Sequence, residues 1–202
     1  MTDLGPIEPT KRSGQEPFHD GSRPLGFDLL NFWQWSTSDL VSNATRGVIA
    51  EYLVAQALGA ADLTVREEWA AYDVVAGDGT RVEVKSAAYV QSWHQSRLSP
   101  ISFRTPKTLA WDRHGLVQSQ DASRHADVYV FALLAHTDQA TLDPLNVAQW
   151  EFYVLPTVVL DQRIRSQHSI TLPSLRKLTA AIAFAALRYA IEEAAAVQRT
   201  AD

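Results

Sequence analysis

Residues 69–89 read WAAYDVVAGDGTRVEVKSAAY, and this stretch decides the fold prediction. The valines and tyrosines on both sides of the Gly-Asp-Gly at 77–79 have strand composition, and the triplet itself is a turn signal. The pattern predicts a β-hairpin with Asp73 on the incoming strand and Glu83 and Lys85 on the outgoing strand. A hairpin that is purely structural does not need these three charges.

The register of the hairpin decides where Asp73 lies. Side chains alternate across a strand, so Glu83 and Lys85 share one face and the intervening valines share the other. A two-residue turn would place Asp73 opposite Val84, away from Glu83. A three-residue loop, with Gly79 in the left-handed conformation, would place Asp73 across from Glu83, roughly 5 Å away. The two glycines favour the second register.

Two carboxylates placed opposite each other on a sheet need a cation between them. Lys85 supplies one positive charge, and a divalent metal would supply more. Hard cations such as Mg²⁺ prefer carboxylate and water oxygens. The alternative is an ordinary solvated face on which Glu83 and Lys85 form a surface ion pair.

A long helix is predicted upstream over residues 38–58, with Ser38 as N-cap and Gly59 as C-terminal stop. One stripe of this helix is apolar or small except for Glu51. A buried ionised glutamate is costly unless it is paired or bound to metal. Glu51 is therefore either a metal ligand or a carboxylate paired with a group such as Arg46.

The order of these residues resembles a known family. The matching positions are Glu51, Tyr72-Asp73 and Glu83-Val84-Lys85. They resemble the PD-(D/E)XK superfamily of restriction-endonuclease-like nucleases, which includes Holliday-junction resolvases and many repair and defence enzymes. The run at 45–51 also resembles the first helix of several bacterial members. The resemblance covers about residues 43–92, and Tyr72 stands where the superfamily usually has proline.

The predicted order of helix, hairpin, strand, strand and helix gives an α/β fold with a mixed β-sheet flanked by helices, consistent with the restriction-endonuclease-like core of that superfamily. The resemblance implies a Mg²⁺- or Mn²⁺-dependent nuclease that hydrolyses phosphodiester bonds, most often in DNA. Asp73, Glu83 and the Val84 carbonyl would bind the metal, and Glu51 would bind it directly or through water. Lys85 would orient or help deprotonate the attacking water.

The segment 90–126 is polar and locally basic in an otherwise acidic chain. Basic groups interleaved with aromatic residues are typical of nucleic-acid contacts, although a long connection with solvated charges has the same composition. The candidate nucleic-acid-binding residues, here and beside the site, are Arg46, Ser86, Gln91, Arg97, Arg104 and Lys107.

The composition of the chain limits which kinds of binding and metal site it can form. The 202 residues are 46% hydrophobic and carry a formal net charge of -5, which suits one globular domain and argues against a strongly basic DNA coat. Cysteine is absent, and the six histidines lack zinc-site spacing. Any metal is therefore expected to be held by oxygen atoms.

We expect residues 1–25 to be a flexible N-terminal arm and residues 26–202 to form a single restriction-endonuclease-like domain. The remaining predicted elements are a helix at 27–35 packed on the domain, strands at 127–134 and 150–155, a short helix at 157–164 and a long final helix at 173–198.

No apolar run is long enough to cross a membrane, and the N-terminus lacks a signal-peptide pattern, so we expect a cytoplasmic protein with no membrane partner. A homodimer would suit an enzyme that cuts two strands. Two other functions stay open at this stage: a nucleic-acid-binding module with weak or lost catalysis, and an interaction scaffold that keeps the fold alone.

Overall fold

The structure is a computed structural model that describes residues 5, 7–68, 70–109, 121–164 and 167–201. In chain order its elements are β1 (Pro17–Asp20), β2 (Arg23–Asp28), α1 (Leu29–Thr37), α2 (Asn43–Leu58), β3 (Val74–Val75), β4 (Arg81–Ala88), β5 (Ser102–Arg104), β6 (Val128–Leu134), β7 (Trp150–Pro156), α3 (Thr157–Asp161), β8 (Ser169–Thr171), α4 (Leu172–Leu175) and α5 (Leu187–Ala201). Short 3-10 turns lie at Gln139–Thr141, Val147–Gln149 and Phe184–Ala186.

The central sheet has four strands in the order β3-β4-β6-β7. The β4 and β6 strands are parallel, whereas β3 with β4 and β6 with β7 are antiparallel, so the sheet is mixed. All seven residues of β6 are buried, as expected for an apolar strand covered on both faces. The predicted strands at 127–134 and 150–155 are confirmed.

Two hydrophobic clusters cover the two faces of this sheet. One joins β4 and β6 to α2 and α5 through side chains such as Val54 and Ile191. The other joins β6 and β7 to β5, β8 and α4 through Phe103, Ile170 and Leu175. The predicted class, α/β with a mixed β-sheet flanked by helices, is confirmed, and the restriction-endonuclease-like core stays a prediction.

The hairpin between β3 and β4 adopts the second of the two registers. Val74 pairs with Val82 and Val75 with Arg81, which leaves residues 77–79 as a three-residue loop. Gly79 takes the left-handed conformation at φ +86°, which glycine adopts without strain. The pairing ends at Val74, and the Asp73 N–H donates to the Val82 carbonyl, so Asp73 lies at the end of the ladder next to Val82.

The N-cap of helix α2 lies four residues later than expected. Ser42, not Ser38, is its N-cap and accepts a hydrogen bond from the Thr45 N–H, whereas Ser38 ends α1. Gly59 stops α2 in the left-handed conformation at φ +72°, as predicted.

The prediction of one final helix over 173–198 was wrong. The chain forms the four-residue α4, leaves the helix, and resumes as α5 at Leu187. Between them Ile182 exchanges two backbone hydrogen bonds with Phe152 of β7, at 2.8 and 3.0 Å. The two hydrogen bonds that pair this segment with the edge strand β7 stabilise it more than the helix propensity of its alanines would.

The N-terminal region also differs from expectation. Residues 1–25 were predicted to be a flexible arm, but β1 and β2 form an antiparallel hairpin there, and the predicted boundary at residue 25 falls inside β2. The helix predicted at 27–35 exists as α1, yet none of its residues is buried. It therefore does not pack into the domain as expected.

Within the described part of the chain, no helix combines the length and the apolar character needed to cross a membrane.

The pairing of Ile182 with Phe152 predicts a position-specific effect of proline. Ile182→Pro removes the donor to the Phe152 carbonyl and an apolar contact, so we expect the free energy of unfolding to fall by about 1–3 kcal/mol in urea titrations. Ala183→Pro is the matched control, because its φ of -82° is compatible with proline. Equal losses in both variants would contradict the role of this bridge.

Candidate active site

Asp73 lies at the end of the pairing between β3 and β4, where its side chain also contacts β4. Its backbone N–H donates to the Val82 carbonyl at 3.0 Å. Beyond that point the Asp73 carboxylate accepts a hydrogen bond from the Val84 N–H at 2.7 Å. The carboxylate thus occupies the edge of β4 that a neighbouring strand would otherwise pair with.

Glu83 and Lys85 lie on one face of β4, as the strand alternation predicts. The Lys85 Nζ donates to Glu83 Oε1 in a half-buried ion pair. In the parallel register with β6, Glu83 stands beside Tyr129 and Lys85 beside Phe131.

Glu51 approaches from α2 and is also ion-paired. Arg66 donates to its two carboxylate oxygens, from Nε at 2.5 Å and from a terminal nitrogen at 3.2 Å. The Glu51 side chain is 14% exposed. Its partner is therefore Arg66 and not Arg46, which the sequence had offered as the alternative.

The pKa of Asp73 is shifted by the acidic and basic side chains around it. Burial and the neighbouring Glu83 carboxylate raise it from 3.8 to about 7, and Glu51 adds to the rise. The Val84 N–H and the Lys85 ammonium act in the opposite direction. Asp73 therefore lies within electrostatic range of Glu83, Glu51 and Lys85, and the acids around it outweigh the local cations.

The carboxylates do not converge on a common point in this conformation. Among the described residues, no group of three acidic or histidine side chains is arranged to hold a metal ion. Lys85 holds Glu83 and Arg66 holds Glu51, so side-chain cations take the places next to two of the three acids.

Three of the predicted nucleic-acid-binding residues form a buried network next to the site. Arg46 donates to Ser86 Oγ at 3.1 Å and to Gln91 Oε1 at 3.3 Å. It also donates to the Val41 carbonyl and to Asn43 Oδ1. Since Arg46 is 4% exposed, this network fixes the start of α2 against β4.

The other three predicted contacts lie apart from that network. Arg97 and Arg104 are exposed, and Lys107 pairs with Asp161 at 3.5 Å. Residues 110–120 of the basic segment, with Trp111 among them, lie outside the described residues. The nucleic-acid contact of all six residues stays a prediction.

Sequence reasoning missed two residues of this region. Arg66 stands beside acids at 67 and 68 in a stretch without periodicity, and nothing there links it to Glu51. Tyr129 lies inside an apolar run that reads as core, yet burial and the adjacent Glu83 raise the pKa of its phenol well above its ordinary value. No signal in the sequence distinguished either residue.

The chain belongs to the bacteriophage T4 endonuclease IV family, whose family model matches residues 30–172. That range includes Glu51, Asp73, Glu83 and Lys85. Neither the curated proteins nor the solved structures contain a match to the chain. Family membership supports a nuclease.

The raised pKa of Asp73 predicts a stability change with a definite sign. Its ionised form is disfavoured on folding, so the stabilisation is complete below pH 4 and is lost as the pH rises through about 7. In EDTA, Asp73→Asn should therefore be more stable than the wild type at pH 8 by on the order of 1–3 kcal/mol. Urea titrations at pH 5 and pH 8 measure the difference.

Asp78→Asn is the control for this measurement. Hydrogen bonds from Thr80 lower the pKa of Asp78, so its replacement should give no gain in stability at pH 8. A less stable Asp73→Asn variant at pH 8 would contradict the electrostatic description of the site.

Proposed function

We propose that this protein is a metal-dependent nuclease that hydrolyses phosphodiester bonds in DNA. One observation carries the proposal: Asp73, held by the Val84 N–H, lies near enough to Glu83 on β4 and Glu51 on α2 for their charges to raise its pKa, and Lys85 pairs with Glu83 beside it. Membership in the endonuclease IV family supports the same reaction class. The PD-(D/E)XK assignment belongs to this proposal and rests on the order and placement of those four residues.

The donor chemistry of the site fits Mg²⁺ or Mn²⁺. Asp73, Glu83 and the Val84 carbonyl would hold the ion, with Glu51 as a direct or water-mediated ligand, and all of these are the oxygen donors that hard cations prefer. The excess negative charge around Asp73 is what a divalent cation would neutralise. When bound, the metal would lower the pKa of a water molecule and offset charge on the phosphate.

Within this proposal Lys85 has the role closest to the reaction. Its ammonium is held by Glu83, and the side chain is long enough to turn from Glu83 toward a phosphate oxygen or a water molecule. There it would orient the water and stabilise the charge that develops on the phosphate. Glu83 thus positions Lys85 before substrate arrives.

Arg66 would play the corresponding role for Glu51. Its guanidinium is raised in pKa by Glu51 first and by Asp73 and Glu68 further, so it stays charged beside the acids. It keeps Glu51 neutralised, and once the glutamate turns to a metal its planar donors become available to a phosphate oxygen.

The first test is cleavage of labelled single-stranded, duplex and branched DNA and of RNA, with Mg²⁺, with Mn²⁺ and with EDTA. We expect the wild type to cut with either metal and not in EDTA. Lys85→Ala should lose activity by at least about 100-fold, the usual size of a proton-transfer or charge contribution. Lys177→Ala, an exposed lysine on another part of the chain, is the control.

Other outcomes of the cleavage test are equally clear. Cutting that persists in EDTA, or an active Lys85→Ala variant, would disprove the proposed mechanism. A wild type that shifts DNA on a gel without cutting it would favour the nucleic-acid-binding module. Failure both to cut and to bind would favour the scaffold.

Metal binding can be measured without substrate. Isothermal titration with Mn²⁺ should give one site in the wild type, with at least 10-fold weaker binding in Glu83→Gln, since that change removes a charged donor without altering its size. Glu192→Gln, an exposed acid on α5, is the control. Equal binding by all three proteins would place the metal elsewhere.

A further inference from the structure

Tyr129 on β6 is a buried tyrosine whose hydroxyl has no partner in the described part of the chain. The residue is 4% exposed, and its ring stacks on Phe131 with 6.1 Å between the centroids. No group among the described residues forms a hydrogen bond with the hydroxyl. The fully buried polar atoms without a partner in that part of the chain are Thr105 Oγ1 and Arg124 Nε. The Tyr129 hydroxyl is not one of them, so it keeps a small contact with solvent.

An unpartnered hydroxyl is unfavourable in a hydrophobic cluster. Its removal from bulk water costs free energy that no hydrogen bond returns, and a phenylalanine would fill the same space without that cost. Tyr153, in the same cluster, shows that this face of the sheet can satisfy a buried phenol. Its hydroxyl donates to Glu151 at 2.5 Å and accepts from Arg176 at 2.9 Å. The Tyr129 hydroxyl does nothing comparable in this conformation, which favours a role in another state of the site.

Glu83 is the acceptor best placed for the Tyr129 hydroxyl. The two residues are direct neighbours in the parallel register of β4 and β6. Of the carboxylates within electrostatic range of the phenol, Glu83 acts on it most strongly. Adjacent strands are about 4.8 Å apart, and small rotations of the two side chains bridge that distance.

The other two carboxylates in range already have partners. Asp161 is paired with Arg124 and with Lys107. Asp73 accepts a hydrogen bond from the Val84 N–H at 2.7 Å. Neither acid therefore needs the phenol as a donor.

The donor and the acceptor are complementary but not joined in this conformation. Lys85 donates to Oε1 of Glu83, and an ionised carboxylate has about four acceptor positions on its two oxygens. The phenol of Tyr129 is protonated at neutral pH, since burial and then the charge of Glu83 raise its pKa above the ordinary value. Its hydroxyl is therefore available as a donor when the hold of Lys85 on Glu83 is released.

We propose that Tyr129 is a positioning residue of the active site: when Lys85 turns from Glu83 toward the substrate, the Tyr129 hydroxyl donates to the Glu83 carboxylate and fixes its orientation. This inference rests on the nuclease function proposed above, in which Lys85 leaves Glu83. Carboxylates that bind metal ions are themselves hydrogen-bonded, and loss of such an outer partner weakens metal affinity or activity about 10- to 100-fold. Tyr129 supplies that partner from β6 without contacting the substrate.

A double-mutant cycle tests the transfer of Glu83 without substrate or metal. Lys85→Met keeps a long side chain and removes the ammonium, so it reproduces the state in which Lys85 has left Glu83. In EDTA at pH 8, Tyr129→Phe should leave the urea midpoint of the wild type unchanged or slightly higher. In the Lys85→Met background it should lower the midpoint by on the order of 0.5 M, because a hydrogen bond to a charged group is then lost.

Tyr153→Phe is the matched control for the cycle. It removes a buried hydroxyl that is already bonded to Glu151 and Arg176. It should lower the midpoint equally in both backgrounds, because independent sites contribute additively. Equal effects of Tyr129→Phe in the two backgrounds would show that its hydroxyl does not reach Glu83 and would overturn the proposal.

Metal binding and cleavage give the second measurement. Tyr129→Phe should bind Mn²⁺ about 10-fold more weakly in isothermal titration and lower kcat on DNA about 10-fold, with KM changed less than about 2-fold. Tyr153→Phe should match the wild type in both. An active wild type beside an unaffected Tyr129→Phe variant would overturn the role of Tyr129 and leave the nuclease function intact. A wild type that neither cuts nor binds Mn²⁺ would reject the nuclease function, and the cycle would still decide whether the hydroxyl reaches Glu83.

Discussion

The hydrogen bond from the Val84 N–H to the Asp73 carboxylate holds the site in place. It forms where the pairing of β3 with β4 ends, so one side chain replaces a neighbouring strand at the edge of the sheet. The bond stabilises the ionised carboxylate, while burial and the charge of Glu83 oppose it and prevail. The hairpin therefore keeps an acidic group in a position that is electrostatically unfavourable, which is typical of functional sites.

The protein limits this cost with its own cations. Lys85 neutralises Glu83 on the strand, and Arg66 neutralises Glu51 on the helix. Both pairs are partly exposed, so each adds little stability by itself. Their effect is local: they let three acids remain close together on a folded scaffold. Asp73 has no such ion-pair partner among the described residues, and it is the acid whose pKa rises.

Structural features that depend on residues close together in the sequence were predictable, whereas contacts between distant residues were not. The hairpin register followed from the glycines at 77–79, and the buried strand β6 from its continuous apolar run, because both are set by local conformation or burial pattern. The break before α5 could not be predicted, since it arises from Ile182 pairing with a strand thirty residues away. Arg66 was missed for the same reason: its partner Glu51 lies on another element.

The core and residues 13–38 are both rich in apolar side chains, but they differ in what packs against those side chains. In the core, apolar residues at the spacing of α2, β4 and β6 meet each other within one chain, and an alternating or helical pattern predicts that burial. In residues 13–38 the local signals are equally consistent, with a capping box, a turn and paired aromatic rings, but among the described residues these side chains join neither hydrophobic cluster. A pattern within one sequence reports that a side chain will be covered and does not report which molecule covers it.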